Sequence, residues 1–112
     1  VTFAAEPNSA GTPYTVYTTP SSTTTIILGL VLSNIHTSQV TAEVELVSDT
    51  SGGGRAATNG TSFLVKDAPI PAGSSLELLA GNKVVLETTD AIRVDCSVAD
   101  KLSGTLSIME IT

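Results

Sequence analysis

Apolar side chains fall on every second position through most of this chain, in short runs that each end at a turn signal. Val40, Ala42, Val44 and Leu46 alternate with Thr41, Glu43 and Glu45, and Ile92, Val94, Cys96 and Val98 alternate with Arg93, Asp95 and Ser97. A period of two puts one set on the buried face of a strand and the other on the outside. The runs Ser62–Lys66, Ser75–Leu79 and Lys83–Glu87 lie between them, closed by Asp67–Gly73, Ala80–Asn82 and Thr88–Asp90. Tyr14–Thr18 opens the series and Thr105–Ile111 ends it. Periodicity leaves the continuous run Thr23–Asn34 open between a strand and a buried helix. Three successive threonines and the β-branched Ile26, Ile27 and Val31 decide for a strand, with Gly29 marking a bulge or a close contact. No helix is predicted; Asp100–Ser103 makes one turn at most. About eight short strands with regular turns predict an all-β antiparallel β-sandwich, immunoglobulin-like or jelly-roll.

The same parity assigns faces. Tyr14 and Val16 share one side of their strand and Tyr17 takes the other. Leu106 and Ile108 point one way and Met109 and Ile111 the other, so the last strand is apolar on both sides. It is expected to be central in a sheet or covered by a partner. Residues 1–13 contain Pro7, Asn8, Gly11 and Pro13 and few apolar side chains, and read as an N-terminal arm. Such an arm is either loose or ordered on a neighbouring subunit through Phe3. Residues 14–112 form the single sandwich domain. The longest polar stretch, Asp49–Gly60, holds three consecutive glycines and reads as a mobile loop ending in an Asn59-Gly60 turn.

Composition narrows the role. The chain has 112 residues, 41% hydrophobic and only 14% charged, against roughly 25% charged in an average soluble domain. Serine and threonine fill the difference, and threonine suits the outer surface of a strand. A low-charge, threonine-rich face is easy to dehydrate, which fits packing against another protein. The net charge is −6 and the five basic residues are dispersed, which opposes nucleic-acid binding. The apolar run Ile26–Leu32 is far short of the about 20 residues of a membrane span. One cysteine and the absence of a basic, apolar opening segment fit assembly in a reducing cytoplasm.

Reactive constellations are weak. The sole histidine, His36, sits in a loop and Cys96 on the inward face of a strand, so neither a metal site nor a Cys–His nucleophile is expected. Glu43 and Glu45 share a face, but alternation leaves both exposed, whereas acid catalysis needs one desolvated. Loop acids Asp49, Asp90 and Asp100 form no calcium-loop array, and Ser51–Arg55 lacks the Gly-Lys-Ser/Thr of a phosphate loop. No cofactor and no enzymatic activity are expected.

The segment Phe63–Glu87, with its Ala68-Pro-Ile-Pro-Ala-Gly73 turn and the run Leu76–Leu79, and the ending Ser97–Thr112 resemble small virion structural proteins of tailed bacteriophages, notably marine and cyanobacterial ones. The strand pair Tyr14–Thr18 and Thr24–Leu30 fits the same pattern, so the resemblance runs from about Tyr14 onward, excluding the Gly52–Gly60 loop. It implies a non-enzymatic protein of the virion, assembled in the host cytoplasm. The leading expectation is a capsid decoration protein, a homo-oligomer bound to the major capsid protein or other virion proteins; the alternative is a neck or tail component. A carbohydrate-binding surface module is a further alternative, weakened by the lack of tryptophan. The expected contact residues are Phe3, Tyr14, Tyr17, Met109 and Ile111.

Overall fold

Alternating burial along each strand builds two sheets that share one apolar interior. The structure is a computed structural model that describes residues 1–48, 60–79 and 82–112. Among the described residues it has nine strands and no helix: β1 (Thr2–Glu6), β2 (Tyr14–Thr18), β3 (Thr24–Asn34), β4 (Val40–Ser48), β5 (Gly60–Ile70), β6 (Ser75–Leu78), β7 (Val84–Leu86), β8 (Ala91–Cys96) and β9 (Leu102–Ile111). Sheet I has the order β1-β9-β3-β6, with β7 also paired to β3; sheet II has the order β2-β8-β4-β5. Every pairing is antiparallel.

The pairs are nested. β4 pairs with β5, β3 with β6 and β7, β2 with β8, and β1 with β9. The chain is therefore one long hairpin folded over, successive pairs falling alternately in sheet II and sheet I. The seams β4·β8 and β3·β9 close each sheet. This is the jelly-roll arrangement, and it decides between the two sandwich types left open by periodicity. Of the expected loop Asp49–Gly60, residues 49–59 lie outside the described residues, as do residues 80 and 81 of the expected Ala80–Asn82 turn; Gly60 begins β5.

The interior is aliphatic. Ile27, Leu30, Leu32, Leu86, Leu102 and Leu106 from sheet I meet Val40, Ala42, Val44, Ile70, Ile92, Val94 and Cys96 from sheet II, all buried. Burying a side chain of this size is worth about 1.5–3 kcal/mol. Asn34 plugs one end of this core. Its side-chain amide donates to the carbonyls of Ser38 and Ile70, each at 2.9 Å, and its Oδ1 accepts the His36 backbone N–H at 2.8 Å. A buried amide satisfied on both donors and its acceptor avoids the cost of an unpaired polar group.

Three expectations need correction. The first concerns the arm: Thr2–Glu6 is not free but forms β1 on the edge of β9, and Phe3 is buried in its own core. The strand is held because Phe3 sits opposite Gly104, where no side chain competes with its ring. A Cβ on Gly104 would lie 2.7 Å from the Phe3 ring and 2.7 Å from the Val31 carbonyl oxygen. The second concerns Tyr17. The β2–β8 register shifts between Thr15 and Tyr17, so Tyr14 stands opposite Val94 and Tyr17 opposite Ile92, both turned inward. A bulge inserts one residue and reverses the parity beyond it. The third concerns the Asp67–Gly73 turn: β5 runs on to Ile70, bulged against β4 and with Asp67 at φ 51°. The bulge expected near Gly29 is present, as a register shift in β3·β9 between Ile27 and Gly29.

Gly104→Ala should destabilise the fold by about 1–3 kcal/mol, because the new methyl meets a backbone oxygen as well as a movable ring. Urea or thermal unfolding measures it; an unchanged midpoint would mean that β1 is not seated as described.

Candidate interaction surface

The two outer faces of the sandwich differ in chemistry. Sheet II carries the charges. Arg93 and Glu45 are register partners, and the guanidinium donates through Nε (3.0 Å) and Nη2 to Glu45 Oε2. Glu45, expected to be exposed, is only 7% exposed, because the Arg93 side chain lies over it. A two-pronged guanidinium–carboxylate contact is a strong, directional pair. Lys66 Nζ donates to Glu43 Oε1 at 3.2 Å and lies 4.5 Å from the centre of the Phe63 ring. Its hydrogen bond to Glu43 and the attraction of that carboxylate hold the Lys66 ammonium above the usual lysine range. Asp95 Oδ1 accepts the backbone N–H of Gly11 at 3.1 Å and of Cys96 at 2.8 Å.

Sheet I presents almost none. Register places Thr2, Thr105, Val31 and Glu77 in one outward row, and Ser103, Ser33 and Ser75 in the next. Further along, Val85, Ile26 and Met109 stand side by side across β7, β3 and β9, with Ile111 opposite Thr24. Val85 is 57% exposed, Met109 47% and Ile111 51%, and Leu28 and Val31 are exposed as well. Among outward residues of these strands Glu77 alone is charged; Lys83 and Glu87 flank Val85 just beyond β7. A shallow depression of about 460 Å³ lies on this face near β1, lined by Thr2, Ala4, Val31, Ser33, Ser103 and Thr105 among others.

The five expected contact residues separate accordingly. Met109 and Ile111 are outward and exposed. Phe3 is in the core, its ring 5.8 Å from that of half-buried Tyr14. Tyr17 reaches across the sandwich, from sheet II to sheet I. Its hydroxyl donates to Glu110 Oε2, so its single proton is committed there, and the Thr25 hydroxyl donates to the phenol oxygen at 2.8 Å. Burial, and next the bond to Glu110, raise the Tyr17 hydroxyl above the ordinary tyrosine value. The β3–β9 register sets Glu110 beside Thr25 on the inner side and Met109 and Ile111 outward, and this tie holds Glu110 there at the edge of the sandwich. Periodicity alone missed Ile26, Leu28, Val31 and Val85. The signal was present in the run Thr24–Asn34, which is apolar at both parities around its bulge.

His36 belongs to the β3–β4 connection, while Cys96 is buried among aliphatic side chains, the setting of an inert thiol. A recess of about 330 Å³ on sheet II brings Glu43, Asp67 and Asp95 near Gly11. Even so, the described residues hold no group of three or more His, Cys, Asp or Glu placed to bind a metal ion.

Tyr17→Phe should cost about 1 kcal/mol of stability. The alkaline limb carries a sign. A tyrosine whose folded value is raised contributes stability that is fully present below pH about 10 and lost as pH rises through the folded value. Unfolding followed against pH, with phenolate absorbance, should show that loss in the wild type and a shallower one in Y17F. Matching slopes would refute the tie. No protein-family model, no curated protein and no solved structure matches this chain.

Proposed function

We propose that this chain is a non-enzymatic structural protein of a tailed-phage particle, added to the assembled capsid as a decoration protein, and that it works by burying the outer face of sheet I. The observation that carries this reading is the charge-poor face itself, with Val85, Met109 and Ile111 exposed around half-buried Ile26 on one side of a chain whose strand charges gather on the other. Exposed apolar side chains gathered on one face mark interaction sites, and serine and threonine around them lose little side-chain entropy when covered. The resemblance of Phe63–Glu87 and Ser97–Thr112 to small virion proteins supports the same reading and supplies the partner, the major capsid protein or another virion protein. Fold alone assigns no role, since jelly rolls serve many. The sugar-binding alternative loses its platform: Phe3 is buried, Tyr14 and Tyr17 turn inward, and Phe63 is exposed but has Lys66 close to its ring.

Co-sedimentation with purified capsids and, separately, purified tails tests the proposal. Saturable binding to capsids is expected, and Met109→Lys should weaken it by about tenfold or more, because a buried ammonium without a partner is costly. Binding to tails alone would move the protein to the neck or tail. Binding to neither would remove the virion reading.

A further inference from the structure

We propose that the open edge of β9, over Ser107–Ile111, is a strand-binding site, and that it takes an extended segment of another protein, antiparallel to β9 and in line with β1. This edge is distinct from the outer face that the reading above buries.

The backbone defines the site. On one side β9 pairs with β3 along its whole length, while on the other β1 covers it only as far as Thr105, with Val1 against Leu106. Val1 and Leu106 exchange both bonds. The Val1 nitrogen donates to the Leu106 carbonyl at 2.9 Å, and the Leu106 N–H donates to the Val1 carbonyl at 2.6 Å. Leu106 therefore turns its N–H and C=O toward the β1 side. Alternate residues of a strand turn the same way. Ile108 and Glu110 follow, because the irregularity of the β3·β9 ladder inserts Leu28 in β3 and no residue in β9. Among the described residues, no backbone group meets Ile108 or Glu110 on that side.

The other edges are guarded. An open strand edge is a template for pairing, and folded proteins block it with short strands, bulges, lysine or proline. β6 and β7 have four and three residues. β5 is interrupted by register shifts and carries Lys66 and Pro69. β2 is short, bulged and preceded by Pro13. Ser107–Ile111 has no proline, no lysine and no inserted residue.

Register then states the chemistry of the occupant. The seated β1 shows that this edge accepts an antiparallel strand through main-chain bonds, the mode by which extended segments add to a sheet. A residue opposite Glu110 lies on the inner side, next to a carboxylate whose Oε2 holds the Tyr17 hydroxyl and whose Oε1 is left over. Lysine suits that position, since opposite charges on facing strand residues attract. A residue opposite Met109 stands outward beside an exposed apolar side chain, and one opposite Ile108 points to a half-buried one. Both positions call for aliphatic residues. In the partner's chain order the segment reads basic, apolar, apolar. The net charge of −6 on this chain draws in a basic segment.

Amide hydrogen exchange, read by NMR on the full chain, is the test, with the acetylated peptide amide Thr-Lys-Val-Val-Thr as probe. In the free chain the N–H groups of Ile108 and Glu110 should exchange quickly, and those of Ser107 and Met109, bonded to β3, slowly. The peptide at about millimolar concentration should slow Ile108 and Glu110 by about threefold or more. N-methylation of the peptide residue facing Glu110 or Ile108 should abolish the effect. N-methylation of the residue facing Met109 should preserve it, because that N–H points away from β9. Glu110→Pro removes a donor from this edge alone, so it should lose the response at Ile108 while Met109 stays protected, which shows that the β3 pairing is intact. Ile108 and Glu110 already as protected as Met109 in the dilute free chain would overturn the inference. So would no response to the peptide, or equal responses to all the N-methylated peptides. Protection that rises with the concentration of the chain itself would put a second copy on the edge and overturn the assignment to another protein.

Discussion

The β3–β9 ladder is the constraint on which the rest of the molecule depends. It runs from Thr24 opposite Ile111 to Asn34 opposite Leu102, and it joins a strand from the first third of the chain to the last strand. Its inward residues, Ile27, Leu30 and Leu32 against Ile108, Leu106 and Gly104, form one wall of the core. The other edge of β3 is shared, β7 pairing at Thr25–Ile27 and β6 at Leu30–Ser33. The bulge at Leu28–Gly29 falls between these two stretches, where a local increase in twist lets one strand serve two short partners. A one-residue slip of this ladder would send every wall residue to the solvent, and with it the seat of Phe3 over Gly104. Pairings this distant in sequence close late, so formation of the fold is expected to be slow for its size.

The same ladder explains why the surface is divided. Once β3 and β9 are aligned, the alternate residues of each strand have nowhere to go but the outer face, and in both strands those residues are apolar or hydroxyl-bearing. β4 and β8 contribute Glu43, Glu45, Arg93 and Asp95 at the corresponding outward positions. On that side the charges are used up against one another and against backbone N–H groups. Water is replaced at Glu45 by a guanidinium, an exchange that is tolerable only because both prongs of Arg93 reach it. On sheet I, Glu77 is the one charged side chain among the described outward strand residues, so covering that face displaces water from fewer charges.

Much of this was legible in the chain. Every strand after the first was located, most by a period of two and β3 by its threonines and β-branched residues; Cys96 was placed inward, the Gly29 irregularity was anticipated, and the opposite parity of Leu106/Ile108 and Met109/Ile111 was read correctly. The failures share a cause: each depends on residues remote in sequence. Nothing in Val1–Pro13 says that Gly104 leaves room for an aromatic ring. Nothing in Tyr14–Thr18 says that a bulge reverses parity before Tyr17. The burial of Glu45 needs Arg93 as its register partner, which pattern alone does not supply. Ile26 and Val85 were visible as apolar residues, but only the pairing of β7 beside β3 shows that they stand in one row with Met109.

Holding such a row in place is a distinct physical problem from forming the sheet. Toward its end β9 extends beyond β1, whose pairing reaches back only to Thr105, with Val1 bonded to Leu106. A strand end paired along one edge is free to twist, and exposed apolar residues there gain by turning inward. The hydroxyl of Tyr17 opposes this by holding Glu110 to the interior side of the sandwich. Because side chains alternate, fixing Glu110 inward fixes Met109 and Ile111 outward. An inter-sheet hydrogen bond therefore reinforces, at that corner, the outward parity that the β3–β9 ladder sets.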